Sequence, residues 1–110
     1  MPKINTRSQQ WYGWLPDLPD QRDLMYSAIA PRVLQLPDKV DLRSKCSPVE
    51  NQGSLGSCTA NALAGALEFI ELQKGAIFVD LSRLFLYYNE RVIEGTVKED
   101  SGAFLRDGIK

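Results

Sequence analysis

With 110 residues, the sequence is long enough for one modest domain, which would bury somewhat over ~60% of its unfolded surface, and too short for a two-domain enzyme. Its 13 basic and 14 acidic residues give a net charge of -1, which argues against nucleic acid or an anionic membrane as a partner. No apolar run approaches the ~20 residues that span a bilayer, and residues 1–10 lack the apolar core of a signal peptide. A cytoplasmic, reducing setting is slightly favoured.

The first 35 residues differ in character from the rest of the chain. The segment 11–20 combines three aromatic residues with two prolines that are each followed by aspartate, which is typical of extended or turning chain. Because burying one large apolar side chain contributes about 1.5–3 kcal/mol, we expect this arm to dock on the protein. Residues 23–30 could form one short turn of helix before Pro31.

Residues 36–50 should contain a short strand at 40–43 and then a loop that carries Cys46. We expect Cys46 to be a small, half-buried apolar residue, since nothing nearby suggests a helix N-terminus that would activate its thiol. A disulfide between Cys46 and Cys58 is not expected, because disulfides are rare in reducing compartments.

The segment 51–58 is a turn-rich loop that runs straight into a strong helical pattern over residues 57–74. Cys58 therefore lies where unpaired backbone N–H groups and the helix dipole favour a thiolate, the nucleophilic form of cysteine. The helix is apolar almost all round and should be buried between layers. Its narrow polar stripe comprises Asn61, Gly65, Glu68 and Leu72.

Two further helices are predicted downstream. Ser82 should cap a helix that ends near Val92, and an apolar stripe on it should pack against the central helix. The stripe comprises Leu81, Leu84, Phe85, Tyr88 and Val92. Asp100 or Ser101 should cap a third helix over residues 103–110. Tyr87 is expected to be a packing residue and not a catalytic acid.

Three segments together resemble the papain-like cysteine peptidases. Residues 52–58 are similar to the active-site loop of that family, residues 36–43 to the start of its mature enzymes, and residues 47–52 to the approach to the loop. The resemblance covers roughly residues 36–110.

Two positions depart from the family pattern. Leu55 stands where many members carry a structural cysteine, and Thr59 stands where an aromatic residue usually follows the nucleophile. Neither change removes Cys58.

The resemblance implies an α+β fold, mainly the helical left domain of a papain-like peptidase, with the second, β-barrel-like domain missing from this chain. Residues 1–35 would be an N-terminal extension or short prosegment, and residues 36–110 the N-terminal part of the peptidase domain. Cys58 would be the nucleophile and Gln52 would donate its side-chain amide to the oxyanion. The substrate peptide would bind along four small residues, namely Gly56, Ser57, Ser101 and Gly102. No cofactor or metal is implied.

Histidine is absent from the sequence. The family takes the thiol proton with a histidine that an asparagine orients, and both lie about 130–150 residues after the cysteine. This sequence ends 52 residues after Cys58. We therefore expect a moderately acidic, accessible thiol without turnover here. Its partners would be a peptide or protein substrate and a C-terminal half that carries histidine and asparagine.

Alternatives stay open at this point. The chain could be a non-catalytic relative or an inhibitory, peptide-binding module, or part of another acyl-transfer enzyme on a papain-like fold. The N-terminal arm could lie in the substrate cleft as an inhibitory prosegment does, or it could only complete the fold.

Overall fold

The computed structural model describes residues 11–32 and 35–110. Residues 1–10 and positions 33 and 34 lie outside the described residues. The expectation that residues 1–10 lack a signal-peptide core therefore concerns a segment that the structure does not describe. The elements in chain order are β1 (Trp14–Leu15), α1 (Tyr26–Ile29), a 3-10 turn (Arg43–Lys45), α2 (Cys58–Gln73), α3 (Arg83–Glu94), β2 (Ala103–Phe104) and α4 (Leu105–Ile109). In the part of the chain that the structure describes, no helix combines the length and apolarity needed to cross a membrane.

The central helix α2 confirms the predicted helix, but its burial differs from the prediction. Ala60 and Ala64 are buried, whereas Leu67 and Ile70 are each 48% exposed. Among the described residues, α3, α4 and the 3-10 turn pack against α2, and they leave these two apolar side chains half exposed. The expectation of a helix buried all round was wrong.

Glu68 was assigned to the polar stripe of α2, yet it is 1% exposed. Its carboxylate accepts two hydrogen bonds of 2.9 Å from the guanidinium of Arg83 and one of 2.5 Å from the hydroxyl of Ser47. The buried ion pair joins α2 to the first residue of α3. The hydrogen bond from Ser47 joins α2 to the segment that leads into the Cys58 loop.

Helix α3 has the predicted N-cap, because the Ser82 hydroxyl oxygen accepts the backbone N–H of Phe85 at 3.1 Å. Gly95, with φ +71°, ends the helix in the left-handed conformation. The predicted packing face was wrong. Phe85 is 70% exposed, whereas Tyr87, Glu90 and Arg91 are buried. Tyr87 and Arg91 bind polar groups of the loop that follows α3, and Glu90 accepts a hydrogen bond from Thr59 of α2, so the helix turns its charged face to the core.

Three local expectations also failed. Residues 40–43 form no strand; instead Asp41 accepts the backbone and side-chain N–H groups of Arg43 and begins the 3-10 turn. The third helix begins only at Leu105, because Ala103–Phe104 pairs with the arm as β2. Cys46 is exposed, not half-buried.

Candidate active site

The loop before α2 is held in a compact turn that brings its last residue, Cys58, to the start of the helix. The Asn51 side chain accepts the N–H of Gly53 at 2.8 Å, and the N–H of Ser57 donates to the carbonyl of Leu55 at 2.9 Å. Cys58 is the first residue of α2, and its thiol is free and partly buried.

Two donors of this loop converge on one oxygen atom. The side-chain Nε2 of Gln52 lies 2.9 Å from the carbonyl oxygen of Tyr12, and the backbone N of Cys58 lies 3.1 Å from the same oxygen. The Gln52 amide is also fixed by the carbonyl of Leu55, at 2.8 Å. The loop therefore aims a side-chain amide and the N–H of Cys58 at a single point, which a peptide carbonyl occupies.

The N-terminal arm crosses the site as a peptide. Gly13 is buried, and its carbonyl accepts the N–H of Ala103 at 2.9 Å. Beyond it β1 pairs in parallel with β2, with Trp14 opposite Ala103 and Leu15 opposite Phe104. The expectation that the arm docks is confirmed, but backbone pairing holds it, since Trp14 remains 56% exposed.

Gly56 and Gly102, two of the predicted peptide-binding residues, form the walls between which Gly13 passes. A Cβ atom on Gly13 would overlap the Gly56 carbonyl, and one on Gly102 would overlap the Gly13 carbonyl. The N–H of Gly56 donates to the carboxylate of Asp100 at 3.0 Å, which fixes this wall.

Ser57 and Ser101, the other two, engage the protein itself. Ser57 is 2% exposed, and its hydroxyl oxygen accepts the Asn61 amide at 3.1 Å. The Ser101 hydroxyl oxygen accepts from the Arg91 guanidinium at 2.5 Å. Both serines support the backbone of the walls.

Two known proteins are similar to this chain, one in sequence and one in structure. An uncharacterized peptidase C1-like protein of Acanthamoeba polyphaga mimivirus is 38% identical over 117 residues, which cover 90% of this chain and 37% of that protein. The crystal structure of xylellain, a cysteine protease from Xylella fastidiosa, matches with a TM-score of 0.73 and 49% identity over 91% of this chain and 37% of xylellain. The chain belongs to the papain-like cysteine peptidase family.

Within that family, the described elements are those of the helical left domain, as the resemblance implied. The chain spans 37% of the length of each of these two relatives. No protein-family profile matches the chain.

The electrostatics of the Cys58 thiol contradict the expected moderate acidity. Burial is the largest influence and raises the pKa of Cys58, and the nearby Glu90 carboxylate acts in the same direction. The backbone N–H groups of Thr59 and of Cys58 itself, together with the backbone of Trp14, lower the pKa but are outweighed. The sequence carries no histidine whose positive charge could reverse this balance.

A polar network under the Gly102 wall was missed by the sequence analysis. The buried Arg91 guanidinium donates to the carbonyls of Gly102, Thr96 and Glu99, the last two at 2.6 Å. The hydroxyl of Tyr87 donates to Asp100 at 2.6 Å. This network fixes the loop before β2, and with it the backbone of Gly102, which forms one wall beside Gly13. Its only signal in the sequence was a charged residue beside aromatic ones on α3.

Proposed function

We propose that the protein is a cysteine peptidase that hydrolyses peptide bonds through a thioester with Cys58. Gln52 and the backbone N–H of Cys58 would stabilise the oxyanion. Residues 36–110 would be the N-terminal part of the peptidase domain, and residues 1–35 an extension of it. Family membership supports the class of reaction, and the arrangement of donors supports the roles of these two residues.

The single observation that carries the proposal is the convergence of Gln52 Nε2 and Cys58 N on one peptide carbonyl oxygen, at 2.9 and 3.1 Å. Attack of a thiolate on a carbonyl carbon moves negative charge onto the oxygen, and donors already in place stabilise that charge. These two donors need no rearrangement to do so. The proton of the thiol would pass to a histidine supplied outside these 110 residues, because none lies within them.

Substrate would be bound mainly through its backbone. The N-terminal arm already binds in this way, since it runs between Gly56 and Gly102 and pairs with the main chain of β2. Such pairing gives affinity with little sequence preference. We therefore propose Gly56 and Gly102 as the walls of the peptide channel, with Ser57 and Ser101 supporting them.

The test uses the product of the complete gene and a fluorogenic peptide substrate. Cys58→Ser should abolish turnover, and Gln52→Ala should lower kcat by about 10²–10³-fold, because one oxyanion donor is lost. Cys46→Ser is the matched control and should keep full activity, since Cys46 is exposed. An epoxysuccinyl inhibitor should label Cys58. Turnover that survives in Cys58→Ser, or labelling at Cys46 alone, would contradict the proposal.

A peptide-binding module without turnover is the second candidate. It is favoured by the peptide segment already seated on both donors and by the raised pKa of Cys58. This candidate predicts that the complete gene product binds peptides in the channel with no hydrolysis. Peptide affinity measured by fluorescence anisotropy, beside the turnover assay, separates the two.

A further inference from the structure

We propose that Asp100 is a positioning residue that fixes the spacing between the two walls of the peptide channel, Gly56 and Gly102. Its carboxylate and the Tyr87 hydroxyl form a chain of hydrogen bonds from one wall to the other, which we call the wall brace. The inference rests on the proposed function in one respect, because only that proposal makes the space between the walls a path for substrate. The bonds of the brace stand without it.

The two walls come from segments that are distant in the chain. Gly56 belongs to the loop before α2, and Gly102 immediately precedes β2. The two carboxylate oxygens of Asp100 lie 3.0 and 3.1 Å from the backbone N of Gly56, 44 residues away in the sequence. One carboxylate therefore ties the segment that carries Gly102 to the loop that carries Cys58.

Tyr87 extends the contact from Asp100 to the second wall. Its hydroxyl donates to Asp100 Oδ1 at 2.6 Å and accepts the backbone N–H of Gly102 at 3.3 Å. The side chain is held in the core, since Tyr87 is 6% exposed and packs with Ala60 and Ala103. Burial, and then the hydrogen bond to Asp100, raise the pKa of Tyr87 to about 12, so the hydroxyl keeps the proton that it donates.

The backbone of Gly102 is held by the protein at both of its polar groups. Its N–H donates to Tyr87, and its carbonyl accepts from the buried guanidinium of Arg91. The next residue, Ala103, supplies the pairing with a peptide, because its N–H donates to the carbonyl of Gly13 at 2.9 Å. Gly102 is therefore a fixed wall, and Asp100 acts on substrate through it.

The brace lies beside Leu55, which stands where many relatives carry a structural cysteine. Leu55, Tyr87 and Asp100 line the same cavity of about 290 Å³. Leucine cannot form a disulfide, whereas a carboxylate accepts a backbone N–H more strongly than a neutral oxygen does. Asp100 lies at the exposed edge of the cavity, so water competes for its carboxylate and we expect moderate effects from its loss.

The spacing of the walls leaves a peptide backbone no spare room. A Cβ atom on Gly13 would overlap the Gly56 carbonyl, and one on Gly102 would overlap the Gly13 carbonyl. A wall released from the brace would therefore lose contact with the peptide. The oxyanion donor Gln52 is fixed separately, by the carbonyl of Leu55 at 2.8 Å. Loss of the brace should thus weaken peptide binding more than the chemical step.

The test uses the product of the complete gene and two substrates with the same acyl residue. One is a peptide amide long enough to run between the walls, and the other is a single-residue ester. Both need the same nucleophile and oxyanion donors, so the ratio of their kcat/KM values isolates the channel. Asp100→Ala should lower the peptide-to-ester ratio about tenfold, mainly through a higher KM for the peptide, because hydrogen bonds to a charged acceptor are lost. Asp100→Asn keeps an acceptor oxygen and should stay within about threefold of wild type.

Two further variants separate the brace from a general effect on the fold. Tyr87→Phe should lower the ratio about threefold in wild type and leave it unchanged in Asp100→Ala, because the hydroxyl links the walls only through Asp100. Glu99→Ala removes the same charge from the adjacent, exposed residue and should leave the ratio at the wild-type value. Equal losses in Glu99→Ala and Asp100→Ala, or equal losses for both substrates in Asp100→Ala, would overturn the proposal.

Hydrogen exchange in the complete gene product measures the brace without any turnover. The amide of Gly56 should exchange about tenfold faster in Asp100→Ala than in wild type or Glu99→Ala, since its acceptor is gone. Faster exchange in a protein that hydrolyses neither substrate would contradict the peptidase proposal and leave the brace in place. Hydrolysis of both substrates with an unchanged ratio in Asp100→Ala would leave the peptidase proposal standing and overturn this inference, as would unchanged exchange at Gly56.

Discussion

Glu90 is the side chain whose chemistry the packing alters most. It is 1% exposed, its Oε2 accepts the hydroxyl of Thr59 at 2.8 Å, and its Oε1 has no hydrogen-bond partner among residues 11–32 and 35–110. Burial raises the pKa of Glu90, and the charges of Glu94 and Asp107 raise it further, whereas Arg91 lowers it. The fold therefore shifts this carboxyl toward its neutral form, although the hydrogen bond from Thr59 acts against the shift.

The contact also accounts for Thr59, which replaces the aromatic residue usual in the family. Among the residues that the structure describes, its hydroxyl donates the hydrogen bond that Glu90 accepts. A tryptophan or phenylalanine at this position would leave both oxygens of a buried carboxyl unpaired, which is costly. The buried carboxyl of Glu90 thus gives a structural reason for a threonine at position 59.

We predict that Glu90 makes the chain less stable as pH rises. A carboxyl whose pKa is higher in the folded than in the unfolded state stabilises the fold below its ordinary pKa, and that contribution is lost as pH rises through the folded pKa. Thermal unfolding of wild type should therefore move to lower temperature above about pH 4.5, whereas Glu90→Gln should show a flatter profile in that range. Identical pH profiles would contradict the prediction, because they would show that folding leaves the pKa of Glu90 unchanged.

At the scale of elements, the Glu68–Arg83 pair decides how α2 and α3 meet. The side chains are 1% and 12% exposed, and Glu68 also receives the backbone N–H of Leu81 at 3.0 Å. The guanidinium of Arg83 is the largest influence on Glu68 and holds its pKa at about 2. The pair therefore stays charged over the whole range in which the protein would work.

We predict that Glu68→Gln destabilises the chain by about 3 kcal/mol, because the buried Arg83 guanidinium loses its buried carboxylate partner and keeps only the exposed Asp80. Urea unfolding at neutral pH measures the change. Asp41→Asn removes a pair of 2.5 Å with the exposed Arg43 and should leave the unfolding midpoint almost unchanged, because water screens exposed ion pairs. A loss in Glu68→Gln no larger than in this control would contradict the prediction.

The same pair gives an acid dependence of the opposite sign to that of Glu90. The folded pKa of Glu68 is depressed to about 2, so its contribution is present above the ordinary carboxyl pKa and is lost as pH falls toward 2. Wild type should lose stability between about pH 4.5 and pH 2, and Glu68→Gln should lose less over this window. Thermal unfolding in stepped acid buffers measures both slopes.

At the scale of the whole molecule, one face of the described fold is apolar and uncovered. Phe85 on α3 is 70% exposed and Leu67 on α2 is 48% exposed. An apolar groove of about 360 Å³ runs between α2, α3 and Gly108 of α4. Single exposed apolar residues are ordinary, but a contiguous apolar surface marks a site of contact.

We predict that this surface binds the dye ANS, because the dye partitions onto contiguous exposed apolar groups. The double variant Leu67→Ser/Phe85→Ser should reduce the ANS fluorescence of the chain by more than half. Val49→Ser, at an isolated apolar residue that is 100% exposed, should leave it unchanged. Fluorescence that does not respond to the double variant would place the dye elsewhere.

The sequence by itself determined the elements that depend on local chemistry. The start of α2 at Cys58, the Ser82 cap of α3 and the loop that carries Gln52 were all predictable, because turn residues, caps and helix propensity act within a few positions of the chain. Family and fold followed from the resemblance carried by residues 36–43, 47–52 and 52–58. The expected roles of Cys58 and Gln52 stay predictions, now with the two donors placed on one oxygen.

Only the tertiary structure decided which faces are buried and what fills the cleft. Hydrophobic spacing placed Phe85 inside and Glu68 outside, and both assignments failed because partners distant in sequence can satisfy a buried charge, as Arg83 does for Glu68. The meeting of Tyr12 with Gln52, 40 residues apart, has no local signature at all. Backbone groups look the same in every sequence, so a site made from them becomes visible only when the chain is folded.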